Sequence, residues 1–136
     1  MIDPLKVLYV YLTGNSEITS NSIAVYGPPG LPVDWSPSKT IVFSGSGGLS
    51  NLNLPVFNDY IEFRCYGASA MEAREVHTVL YSVLHREGLR DVDMGSYTAR
   101  ITHTQEAIRP YDLIEPVTEY FYVMVRYWVK MVEVAV

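Results

Sequence analysis

Between residues 57 and 88 the hydrophobic period of the chain switches from that of a strand to that of a helix. In FNDYIEFRCYG (57–67), Ile61, Phe63 and Cys65 fall on one side, and Tyr60, Glu62, Arg64 and Tyr66 on the other, the alternation of a β-strand. In SAMEAREVHTVLYSVLHREG (69–88), Ala73, Val76, Leu80, Val83 and Leu84 fall on one helical stripe. Ser69-x-x-Glu72 is a capping box that specifies where the helix begins, and Gly88 supplies a stop. Only Gly67 and Ala68 separate the two. A joint this short folds the helix straight back across the strand, so strand and helix must be the two layers of one unit. Eighteen helical residues would span roughly 27 Å.

The remaining segments fit around that unit. Asp3 is a good N-cap, Pro4 suits the first turn and Gly14 the end of a short N-terminal helix, with Leu5, Leu8 and Leu12 on one stripe. Residues 15–38 are polar and broken by proline, with a short strand through Ser22–Tyr26. KTIVFSG reads as another short strand, and GSGGLSNLNLP (residues 45–54 and the proline after them) as a projecting Gly/Ser/Asn loop. DVDMG reads as the turn leading into the strand SYTARITHTQEA, and IRPYDLIEPVT as a loop whose residues 109–118 form a second projecting arm. The last segment, Glu119–Val134, is a long strand. Its odd positions, Phe121, Val123, Val125, Tyr127, Val129 and Met131, form the row that packs under the helix. The expected fold is therefore α+β, a single domain over residues 1–136. It has a mixed, mainly antiparallel sheet, one long and one short helix on one face, and long hairpin or loop arms.

The even positions of that last strand carry the functional signal. Tyr120, Tyr122, Met124, Arg126, Trp128 and Lys130 are neither core-like nor simply solvated, and the chain holds eleven tyrosines and two tryptophans. Amphipathic aromatics and arginine on an outer sheet face suit contact with another protein. With Tyr60, Tyr66, Leu49, Leu52 and Tyr111 they make a candidate oligomer or tube interface. The alternative is a face covered by the N-terminal helix or the long loops. If the long strands are neighbours, Arg64, Arg100 and Arg126 leave the same face. That is a candidate basic patch, or else a set of cross-strand ion pairs.

Composition and motifs exclude more than they suggest. Ten basic and fifteen acidic side chains give a net charge of −5, which argues against wrapping nucleic acid by net positive charge. The apolar stretch 119–136 is interrupted by Arg126, Lys130 and Glu133 and does not read as a membrane helix. Cys65 stands alone, in register with core positions, and fits a reducing compartment. His77 and His85 lie roughly 12 Å apart along one helix, too far to share a metal, and His103 belongs to a different strand. Asp91 and Asp93 begin a calcium-loop pattern that Gly95 and Thr102 fail to complete. GSGGLSN lacks the lysine and hydroxyl of a phosphate loop. The sequence reading therefore assigns no catalytic, metal or cofactor residue.

The order of parts resembles the small tail-completion or tail-terminator proteins of long-tailed bacteriophages and gene transfer agents. DYIEFRCYGASAMEAREVHTVLYSVLH (59–85) and SYTARITHTQEAIRPYDLIEPVTEYFYVMVRYWV (96–129) carry the resemblance, which covers residues 57–131. The first third follows only in outline, and GPPGLPVDW departs from the pattern. The resemblance implies a non-enzymatic virion subunit at the tail–neck junction, made in the host cytoplasm. Such subunits form a ring, typically six-fold, that caps the tail tube and meets a neck or head-completion protein. DNA passes the lumen without specific binding, and neither membrane nor cofactor is implied. The rivals are a neck adaptor or stopper, a soluble binding domain with a pocket under its loops, and a nucleic-acid module using the three arginines.

Overall fold

The computed structural model describes residues 2–50, 56–85 and 89–134, and for residues 46–50 the backbone alone. Its elements in chain order are α1 (Pro4–Thr13), α2 (Ser16–Ser20), β1 (Ala24–Tyr26), β2 (Thr40–Ser50), β3 (Val56–Gly67), α3 (Ala70–Leu84), β4 (Arg90–Asp93), β5 (Thr98–Ile114) and β6 (Phe121–Val134). Six strands form one sheet in the order β1-β2-β3-β6-β5-β4. Only β1–β2 is parallel; every other neighbouring pair is antiparallel. The α+β architecture is thus as the hydrophobic periods require.

The helices cover one face. The stripe Ala73, Val76, Leu80, Val83 and Leu84 is buried against β3 and β6. There it meets Ile61, Phe63 and Cys65 from β3, and Val123, Val125, Tyr127, Val129 and Met131 from β6. Val7, Leu8 and Leu12 of α1 join the same core. α1 touches both β1 and β4, the two edges of the sheet. The sheet therefore curls toward its helices, with a concave helix side and a convex outer side.

The joint between β3 and α3 has a steric cause. A Cβ on Gly67 would lie 2.5 Å from the Ala73 backbone nitrogen and 2.8 Å from Glu72. The strand end and the first helical turn are in backbone contact, which only glycine permits. The Ser69 hydroxyl accepts from the Glu72 N–H at 3.2 Å, and the Glu72 carboxylate reaches back to the Ala68 N–H at 3.2 Å.

Several sequence expectations are corrected. The 45–54 arm is not a loop over its first half, because residues 45–50 continue β2 and pair with β3 through a bulge between Gly45 and Gly48. Pairing with a long neighbour overrides the weak strand propensity of glycine. The 109–118 loop is likewise strand as far as Ile114. Pro110 is tolerated because β4 covers only Thr98–Ile101, which leaves this part of β5 as a bulged edge. The turn read at DVDMG is instead β4, with the chain reversing at 94–97, where Gly95 takes φ +87°. α2 is a short helix that the polar 15–20 stretch did not announce, capped by Asn15. α3 stops at Leu84, three residues earlier than its pattern; Gly88 lies outside the described residues.

Candidate functional site

Alternation on β3 and β6 sends one set of side chains to the convex outer face, and the antiparallel register lines them up in rows. Tyr60 stands opposite Trp128, Glu62 opposite Arg126, Arg64 opposite Met124, and Tyr66 opposite Tyr122. Arg126 donates from Nη2 to a Glu62 carboxylate oxygen at 3.0 Å, and Arg64 donates from Nε to the other oxygen at 3.0 Å. Arg126 lies 5.8 Å from the centre of the Tyr60 ring and Arg64 5.4 Å from that of Tyr122, both within cation–π range. Tyr60 and Trp128 pack at 4.9 Å between centroids, and Tyr66 stacks on Tyr122 at 5.2 Å. The centre of the face is thus one carboxylate between two guanidinium groups, framed by aromatic rings.

Burial of Glu62 would raise its carboxyl, but the hydrogen bonds from Arg126 and Arg64 outweigh that and hold it below the ordinary carboxylate range. Tyr66 is pushed above its usual value, first by burial and then by the carboxylate its hydroxyl serves.

The structure divides the predicted interface residues. Tyr60, Tyr120, Tyr122, Arg126 and Trp128 are half-buried on the outer face, and Tyr111 is 40% exposed. Tyr66 and Met124 are corrected: at 2% and 7% exposure they belong to the monomer's own packing and cannot be contact residues. The cover over Tyr66 is Trp35, which meets Tyr66 edge-on at 5.4 Å and Tyr120 at 4.9 Å, and whose Nε1 donates to the Thr40 hydroxyl at 3.0 Å. From the other side the Tyr66 hydroxyl donates to Glu115 at 2.6 Å, and the Tyr111 hydroxyl to the Met124 sulfur at 3.7 Å. Leu49 pairs its backbone with Asn58, while its side chain and the whole of Leu52 lie outside the described residues.

The three arginines do not form one open basic patch. Arg64 and Arg126 share Glu62, and Arg100 is held by both oxygens of Asp91 on the neighbouring strand, at 2.7 and 3.1 Å. Exposed Lys130 completes the outer row.

Two concavities flank the face. The larger, about 530 Å³, lies between the 28–35 segment and the upper rows, with Trp35, Arg64, Tyr66, Glu115 and Tyr120 in its walls. The other, about 390 Å³, is apolar and lies where the first turn of α3 meets the β5–β6 hairpin, lined by Ala70, Ala73, Leu113, Ile114, Phe121 and Val123. Met71, Ile114 and Val117 expose apolar side chains at this end. Sequence reasoning missed Trp35. Its signal was a large aromatic set among prolines and serines, which must pack back on something to be kept from water.

Among the described residues no group of three His, Cys, Asp or Glu side chains is arranged to hold a metal ion, and no helix is long and apolar enough to cross a membrane. His77 and His85 each neighbour Tyr81 rather than one another. Cys65 is buried, and that burial pushes its thiol up. No protein-family model matches the chain, and no curated protein matches it.

Proposed function

We propose that the chain is a structural subunit of a tailed-phage particle, one that assembles with copies of itself into a ring closing the tail tube at the neck. The observation that carries this reading is the half-exposed Tyr60–Trp128–Arg126–Tyr122 surface on the two central strands. It has the residue types of an interface core and sits on rigid elements rather than loops. Support comes also from the apolar end around Ile114 and Val117, which gives a second surface suited to axial contact with tube or neck. The resemblance over residues 57–131 supplies the kind of assembly.

The test is mass in solution by light scattering across a concentration series, with native mass spectrometry and a tail-tube docking assay alongside. A species near six times the 15.4 kDa chain, formed alone or on the tube, is the expected result. A strict monomer that also fails to dock overturns the reading. Trp128→Ala and Tyr122→Asp should each weaken assembly while the far-ultraviolet spectrum of the monomer stays unchanged. Intact assembly in both would remove the outer face as the contact.

The 530 Å³ cleft favours a second reading, a binding domain for a small or peptide ligand. It predicts a monomer or dimer, and loss of binding when the cleft residue Trp35 is changed to Ala.

A further inference from the structure

One patch on each side of the molecule carries an unmatched charge, and the two patches are opposite in sign. On the convex face, two guanidinium groups share the single carboxylate of Glu62, and exposed Lys130 has no acidic partner among the described residues. That face therefore holds more positive than negative charge, set among Tyr60, Trp128 and Tyr122. On the helix side, Arg74 is neutralised by Asp112 at 2.6 Å, while exposed Glu75 has no partner among the described residues. One turn away Met71 is 70% exposed. Met71 and Glu75 are four residues apart and share one stripe of α3, so a thioether and a carboxylate are offered together. Thioethers pack well on aromatic rings, and a carboxylate beside them suits an arginine- and lysine-bearing face.

The sheet edges are poor alternatives for the contact. β2 is bulged between Gly45 and Gly48, and the open stretch of β5 carries Pro110 and two further register shifts. These are the features by which natural sheets prevent edge-to-edge pairing.

We infer that copies of this chain pack front to back, with the Met71–Glu75 stripe of α3 from one copy seated on the Tyr60–Arg126–Trp128–Lys130 face of the next. The inference rests on the ring reading and specifies its contact. The two patches lie on opposite sides of a two-layer unit, so the contact is heterologous. Each copy uses a different patch toward each neighbour, and such a contact closes into a ring when the rotation between copies divides a full turn, an open filament being the other outcome.

A charge-reversal cycle tests it. Glu75 and Lys130 are both exposed and have no partner among the described residues, so Glu75→Lys and Lys130→Glu leave the monomer's folding intact, which circular dichroism checks. Each single reversal should weaken self-association about ten-fold, and the double reversal should restore most of it. If wild type assembles and both singles assemble equally well, or the double is no better than the singles, the front-to-back contact is overturned while the ring reading stands. If wild type neither assembles nor docks on tubes, both fall together.

Discussion

At Gly67 a single hydrogen atom decides whether two layers can meet. A Cβ there would stand 2.5 Å from a helix backbone nitrogen, which no side-chain rearrangement relieves. Gly67→Ala should cost roughly 3 kcal/mol by forcing strand and helix apart, read as a lowered denaturation midpoint with an unchanged slope. Glu119 offers the opposite case. In the β5–β6 turn it holds a left-handed φ of 59°, a conformation that strains any residue with a Cβ. Glu119→Gly should stabilise by about 1 kcal/mol, visible as a higher melting temperature. Glu62 sets a pH dependence. Its carboxyl is depressed in the folded state, so its contribution is complete above the ordinary value of 4.5 and is lost as pH falls through the lower folded value. Wild type should therefore lose stability on acidification below about pH 4.5 more steeply than Glu62→Gln. Parallel melting curves across pH 2–5 would refute that assignment.

The elements show where sequence patterns inform and where they mislead. The β3 strand, the α3 stripe and the alternation of β6 were legible because each buries one face on a fixed period, and Ala73 to Leu84 met Ile61 to Cys65 as the period demands. The β2 extension through Gly48 and the β5 run through Pro110 were not legible. Their strand state comes from pairing with a long neighbour, and local residue preference argues against it. The end of α3 was misplaced for a related reason. The last turn is capped by a side chain rather than by a glycine: Arg90 donates from Nη1 to the Val83 and Leu84 carbonyls at 3.3 Å and lies over the Tyr11 ring. Thr104 donates to the same Leu84 carbonyl. A guanidinium at a helix C-terminus satisfies orphan carbonyls and opposes the dipole there. Arg90→Met should cost about 2 kcal/mol, with hydrogen exchange rising first in the last turn of α3. On the outer face, the aromatic row was readable from alternation, whereas the burial of Tyr66 and Met124 under Trp35 and Tyr111 required the fold itself.

The whole molecule places the sixth strand in the middle of the sheet, between β3 and β5. Without β6 the sheet is two separate pieces, β1-β2-β3 and β5-β4, with nothing between them. During synthesis β3 is complete at residue 67, and the strand that pairs with it ends at residue 134. At elongation rates of roughly 5–20 residues per second that interval lasts on the order of ten seconds. Throughout it the nascent chain carries an apolar strand whose open side has none of the bulges and proline that blunt the outer edges of the finished sheet. Cooperative folding of the nascent chain thus waits for its most aromatic segment, and a message cut short before residue 121 leaves β3 and β5 without the strand that joins them.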